Sequence, residues 1–237
     1  MTWVRRRSAY AEPVAALLLS LLSTVAFAKL GEDVLGREAL VNYDVDVAGW
    51  LHAHAVHAVT TLMLLVSLLG STHVVLAVVV MAVALLLRGG RRADAVLVAV
   101  AVAGGEVLDA LLKSEFARPR PHMSDPLATA HGFSFPSGHA MASLTLFGIL
   151  AYVLAHGQPL PRVLRIGAAA LAIVLAIGLS RVYLGVHYMS DVLAAWAAGL
   201  AWLGLCVAVM RTALLRYRDR SICFAAGCRR PDEPPTS

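Results

Sequence analysis

The stretch HYMSDVLAAWAAGLAWLGLCVAVM, His187–Met210, decides the fold of this chain. Beyond Asp191 it carries no charge, and it is built of Ala, Leu, Val and Trp without strict polar–apolar alternation. Such a run favours helix over strand, and at about 20 residues it is long enough to cross the hydrocarbon core of a bilayer. Five runs of similar character precede it: Pro13–Ala28, Thr72–Leu87, Ala93–Leu112, Ser137–Ala155 and Val163–Tyr183. The 237 residues are 59% hydrophobic and only 15% charged, with a mean hydropathy of +0.74. A soluble domain of this length needs more polar surface than that. The expectation is an all-α polytopic membrane protein with six transmembrane helices.

Between the first two runs lies His52–Leu69, apolar but preceded by polar Asn42–Asp46 and ended by Gly70-Ser71. A seventh span there would reverse the sidedness of everything after it. We read it as a short interfacial or partly inserted helix on the outer side. With six spans and the N-terminus inside, the cytoplasmic pieces hold Arg5–Arg7, Arg88, Arg91, Arg92, Arg162, Arg165, Arg211, Arg216, Arg218, Arg220, Arg229 and Arg230. The external pieces hold only Lys29, Arg37, Lys113, Arg118, Arg120 and Arg181, a consistent positive-inside bias.

The chain thus divides into an N-terminal transmembrane anchor, 1–28, an external loop with the interfacial helix, 29–71, a helical core, 72–211, and a cytoplasmic tail, 212–237. The Pro- and charge-rich end of the tail, Arg229–Ser237, reads as disordered. Arg5–Arg7 followed by an apolar stretch and Ala26-Phe27-Ala28 also fits a cleavable signal peptide; the anchor is the preferred reading, and Lys29 emerges outside either way. The net charge of +5 is spread between apolar runs as a topology signal, which speaks against a nucleic-acid partner. Cys206, Cys223 and Cys228 have no spacing that suggests a disulfide framework or zinc site, and are read as reduced thiols.

Ionisable groups at the ends of such apolar helices need a reason. Three clusters stand out, all on external segments: KSEFARPRP, Lys113–Pro121; FPSGHA, Phe135–Ala140; and SRVYLGVHYMSD, Ser180–Asp191. Lys113, Arg120 and Arg181 supply three cations, and the two arginines are able to grip phosphoryl oxygens through paired N–H groups. Pro136-Ser137-Gly138 breaks the chain and opens a helix. Its backbone N–H groups suit a phosphate, with the Ser137 hydroxyl as cap and Gly138 allowing close approach. His187 and Asp191 are four apart, so on a helix they share a face. The carboxylate then holds one imidazole nitrogen, leaving the other lone pair free to attack phosphorus.

These segments resemble the phosphatidic acid phosphatase type 2 superfamily, whose pattern is K-x6-RP, then PSGH, then SR-x5-H-x3-D. Every fixed position is present in order: Lys113, Arg120 and Pro121; Pro136, Ser137, Gly138 and His139; Ser180, Arg181, His187 and Asp191. The likeness covers roughly residues 55–210. The resemblance implies that His187 forms a phosphohistidine while His139 protonates the leaving alkoxide and later activates water. Lys113, Arg120, Ser137, Gly138 and Arg181 would stabilise the pentavalent transition state. It also implies no metal and no other cofactor, in keeping with the lack of a carboxylate cluster for magnesium. The implied setting is a bacterial inner membrane, with the site on the periplasmic side.

Other polar residues receive plainer readings. Asp109, four residues before Lys113, is read as the partner that fixes the lysine's direction, and Glu106 as a further member of that face. Arg118 lies outside the fixed pattern and is read first as an interfacial anchor that snorkels to the headgroups, with a contact to lipid phosphate as the alternative. His52, His54 and His57 form an H-x-H-x-x-H string without an accompanying acid or cysteine, and His122 and His131 lie in the loop between the first two motifs. The function expected is a membrane lipid phosphatase. Polyprenyl (undecaprenyl) pyrophosphate is the favoured substrate, followed by phosphatidylglycerol phosphate and phosphatidic acid. A lipid phosphotransferase with the same site and a catalytically inactive scaffold are the alternatives. The oligomeric state is left open.

Overall fold

The computed structural model describes residues 3–36, 39–122 and 127–225. These form eight helices: α1 (Trp3–Gly36), α2 (Ala39–Ala53), α3 (His57–Leu68), α4 (Thr72–Arg88), α5 (Arg92–Phe116), α6 (Gly138–Ala155), α7 (Leu160–Tyr183) and α8 (Met189–Ala225). No strand occurs among the described residues. Five helices are long and apolar enough to cross a membrane alone. α4 has 17 residues, about 25 Å at 1.5 Å per residue, and becomes the sixth span only together with α3, from which it is bent by 43°.

α3 is therefore no free surface helix. It packs against the C-terminal half of α7, where the Val56 backbone N–H donates to the Tyr183 hydroxyl at 3.0 Å and Arg181 donates to Ser67 Oγ. The segment expected as loop before it is also helical. α2 contains Asn42–Asp46, and Asp44 is wholly buried. Asp44 belongs to an internal network, whereas Asn42 and Asp46 stay exposed. The outer spans overrun their expected limits. α1 passes Ala28 and reaches Gly36, with Lys29 paired to Glu32 and Asp33 on its surface. α8 runs through 212 to Ala225, so that part of the expected tail is helical; Arg229–Ser237 lies outside the described residues.

α4, α5, α6 and α8 enclose the main core, built around Val98, Ala101, Leu146 and Ile149. α1 lies along α8, where Ser20 Oγ donates to the Ala201 carbonyl at 2.7 Å. Gly204 permits this approach, since a Cβ there would stand 2.6 Å from the Ala16 carbonyl oxygen. Close packing through small residues is how helices associate in lipid, where no hydrophobic force drives them together. Large apolar side chains such as Leu22, Leu76 and Leu111 point outward, as the bilayer requires. At one end of the bundle Arg91 donates to the Val153 carbonyl, and Arg211 bonds to His156 and Tyr152. The three motif clusters meet at the other end.

Candidate active site

α5 delivers the first cluster. Lys113 Nζ donates to both Asp109 oxygens at 2.6 Å and to the Pro136 carbonyl at 2.7 Å. Asp109 thus fixes the lysine, and the lysine in turn fixes the start of the second motif. Glu106 is half-buried one turn away, within electrostatic reach of both. The chain leaves α5 through Ala117, at φ 43°, and runs on through Arg118, Arg120 and half-buried Pro121.

Arg120 organises the loop as well as the site. Its guanidinium donates to the carbonyls of His131, Gly132 and Val186 and to His187 Nε2 at 3.0 Å. His131 thus takes part through its carbonyl. Arg118 contradicts its reading as a snorkelling anchor. It is buried and points inward, with 2.7 Å to Asp191 Oδ1, 2.8 Å to Ser190 Oγ and 3.0 Å to Asp44 Oδ2, its guanidinium 4.2 Å from the centre of the Tyr188 ring. A guanidinium that finds two carboxylates inside the protein has no reason to reach for headgroups.

The second cluster follows a cis Phe135–Pro136 bond, and the buried Pro136 and Ser137 lead into α6. The Ser137 N–H donates to the Asp191 carbonyl at 3.1 Å, which ties the second motif to the third. Ser137 does stand at the N-cap position, but its hydroxyl makes no cap hydrogen bond; Oγ is buried without a partner. At Gly138 a Cβ would come within 3.0 Å of Asp109 Oδ2 and 3.2 Å of Lys113 Nζ, so only glycine lets these charged groups lie against the backbone. His139 is half-buried, within electrostatic reach of Arg181, His187, Lys113 and Arg120. The α3–α4 turn closes over it, because a Cβ on Gly70 would lie 3.3 Å from His139 Cβ.

α7 and the turn after it supply the third cluster. Ser180 Oγ donates back to the Ile177 carbonyl at 2.6 Å. Arg181 is buried; Nη1 bonds to Ser67, and Nε has no partner. His187 lies in the turn before α8, so it does not share a helical face with Asp191. Its Nδ1 is 3.4 Å from Asp191 Oδ2, longer than a good hydrogen bond. Asp191 is wholly buried, and Oδ2 also accepts from Ser134 Oγ and from the Tyr188 N–H at 2.9 Å. Burial pushes the His187 pKa down to about 4, the cations Arg120 and Arg181 adding to it and Asp191 opposing. Arginine has only donors, so its bond to Nε2 needs a lone pair there and puts the ring proton on Nδ1, facing Asp191.

The structure therefore gathers Lys113, Arg120, Ser137, Gly138, His139, Arg181, His187 and Asp191 at one end of the bundle. Sequence reasoning missed Asp44, Ser67, Gly70, Ser134 and Ser190, which hold or flank these groups. Of the five, only Asp44 carried a signal, as an acid between two apolar runs. The histidine string is divided: His54 bonds to the Trp50 carbonyl and stacks on its ring, while His57 opens α3. Among the described residues no group of three or more His, Cys, Asp or Glu side chains is placed to hold a metal ion.

The chain is similar to several known proteins. Phosphatidylglycerophosphatase B of Bacillus subtilis (strain 168) is 35% identical over 111 residues, covering 45% of this chain; the match spans about half of that relative, 53% of its length. The crystal structure of a transmembrane PAP2 type phosphatidylglycerolphosphate phosphatase from Bacillus subtilis superimposes with a TM-score of 0.68 at 26% identity, covering 82% of this chain and 94% of that one. The crystal structure of Aquifex aeolicus LpxE gives 0.54 at 25% identity, covering 70% and 92%. Residues 94–214, about half of the chain, match the family model described as PAP2 superfamily, and with the motif residues converging as they do, the protein belongs to that superfamily.

Proposed function

We propose that this protein is a phosphatase that removes a terminal phosphate from a membrane lipid through a phosphohistidine on His187. The observation that carries the reading is the state of His187. Its proton is held on Nδ1 towards Asp191 while the Nε2 lone pair faces Arg120, and two further motif residues leave buried atoms unpartnered, Ser137 Oγ and Arg181 Nε. A phosphoryl group supplies the acceptor oxygens that these donors lack.

In this scheme Arg120 passes its donor from Nε2 to a phosphoryl oxygen as the substrate arrives. Nε2 then attacks phosphorus, the bond from phosphorus to the lipid oxygen breaks, and protonated His139 gives its proton to the departing oxygen. Asp191 stabilises the positive charge that grows on the His187 ring. Water, deprotonated by His139, next attacks the phosphohistidine, releasing inorganic phosphate and restoring neutral His187. Lys113, Arg181 and the Ser137–Gly138 backbone stabilise the pentavalent state, as preorganised donors do at low dielectric. Asp109, Pro121, Pro136 and Ser180 support these groups.

The names of the Bacillus subtilis relatives support phosphatidylglycerol phosphate as the leading substrate, ahead of polyprenyl pyrophosphate and phosphatidic acid. The charge bias of the loops supports a site on the external face of a bacterial inner membrane. The test is phosphate release from purified lipid phosphates in detergent, with and without EDTA. Turnover that survives the chelator is expected, with phosphatidylglycerol phosphate showing the highest kcat/KM. Loss of turnover with EDTA and recovery with magnesium would contradict the metal-free scheme.

A further inference from the structure

We infer that Asp44, on α2 and outside the three motifs, sets the charge with which Asp191 meets His187, acting through Arg118. This rests on the phosphatase reading above and adds two positioning residues to it. Three ionic groups lie in a buried line: the Asp44 carboxylate, the Arg118 guanidinium and the Asp191 carboxylate, with Arg118 bonded to both acids. The protonation states follow from the partners. Asp44 accepts from the Ser190 N–H at 3.0 Å, from Ser190 Oγ and from Arg118. Asp191 accepts from Arg118, Ser134 Oγ, the Tyr188 N–H and His187 Nδ1. Each partner is a donor, Ser190 Oγ spending its proton on Asp44 because it accepts from Arg118. A carboxylate surrounded only by donors is ionised.

The line therefore carries two negative charges and one positive, a net charge of −1. That single negative charge is what the His187 ring needs as it turns cationic on attacking phosphorus. Arg118 alone would cancel Asp191 and leave nothing to stabilise that cation in a medium of low dielectric. Asp44 occupies Arg118 from the far side and returns the charge to Asp191. The arrangement also fixes geometry, since Arg118 takes Oδ1 and so leaves Oδ2 towards His187. It gives α2, which lies outside the segment matched to the family, a direct hold on the reacting group.

Charge balance separates this role from mere support, because removing both members of the Asp44–Arg118 pair leaves Asp191 with the net charge of −1. The experiment measures kcat, KM and melting temperature in detergent for wild type, Asp44→Asn, Arg118→Gln and the double variant. Asp44→Asn is expected to lower kcat by roughly 10–100-fold, with KM within about threefold of wild type, since the phosphate-binding groups are untouched. The double variant is expected to regain at least about tenfold in kcat over Asp44→Asn, whatever happens to its melting temperature. A double variant no better than Asp44→Asn, or an Asp44→Asn with wild-type kcat, overturns the inference. Should a neutral variant not fold, Asp44→Glu and Arg118→Lys preserve the charge count; kcat within about threefold of wild type is expected, and a loss of roughly 10–100-fold overturns the charge argument. Wild-type turnover in the same assay guards the underlying reading. A wild type that hydrolyses no lipid phosphate defeats the phosphatase assignment and this inference together, whereas with an active wild type the variants bear on Asp44 alone.

Discussion

In the proposed scheme the contact between Arg120 and His187 changes during turnover, since one arginine N–H cannot serve both Nε2 and an arriving phosphate. The depressed His187 pKa has a consequence with a definite sign. Protonation would remove the attacking lone pair, and burial pushes that event from the ordinary 6.5 down to about 4. Thus kcat/KM, corrected for the substrate's own second ionisation at about pH 6, should show no fall from about pH 7 to about pH 5, since the need for protonated His139 only raises it as pH drops. An acid limb near the ordinary histidine value would show that the ring is not held as described. At this scale the motif residues were legible because their identities and spacings are chemically specific. Arg118 was not, since a lone arginine near a helix end reads equally as a headgroup anchor. Only the position of Asp44, far away in sequence, tells which way it points. Ser137 shows the same limit: its place was legible, but the idle hydroxyl was not.

α8 is the element on which most of the molecule depends, for it carries Asp191 at its start and packs along α1 further down. Gly204→Ala would place a methyl group 2.6 Å from the Ala16 carbonyl and 3.0 Å from the Ser20 backbone nitrogen, both rigid backbone atoms. Overpacking of this kind costs about 1–3 kcal/mol, so a melting temperature several degrees lower in detergent is expected. Gly167→Ala on α7 meets nothing within 4 Å and should not lower it. Equal effects of the two substitutions would argue against the α1–α8 contact. The long apolar spans were legible because length and hydropathy suffice to define them. α3 was legible as a short helix but its docking on α7 was not, nor was α2, because both are held by particular tertiary bonds, Tyr183 to Val56 and Asp44 to Ser190. The same holds for His187, whose place in a turn depends on how α7 meets α8.

The whole molecule separates a basic end from the end that holds the motif residues, and the loop charges predict that the basic end is cytoplasmic. In a protein freed of its native cysteines, Thr129→Cys, in the loop between the first two motifs, should react with a membrane-impermeant maleimide in intact spheroplasts. Gly89→Cys, between α4 and α5, should react only after permeabilisation. The reverse pattern would mean that α3 and α4 are two separate crossings and that the site faces the cytoplasm. The meeting of the three clusters was expected from the motifs, but the bonds that make it, such as Ser137 to Asp191, had no signal because only the folded bundle makes them. Whether His187 carries the phosphoryl group is decided by rapid quenching of the purified enzyme with a lipid labelled in its terminal phosphate. An acid-labile, base-stable phosphoenzyme is predicted for wild type, with more of it in His139→Ala when the leaving group is activated, and none in His187→Ala. Label retained by His187→Ala at the wild-type level would contradict the phosphohistidine mechanism.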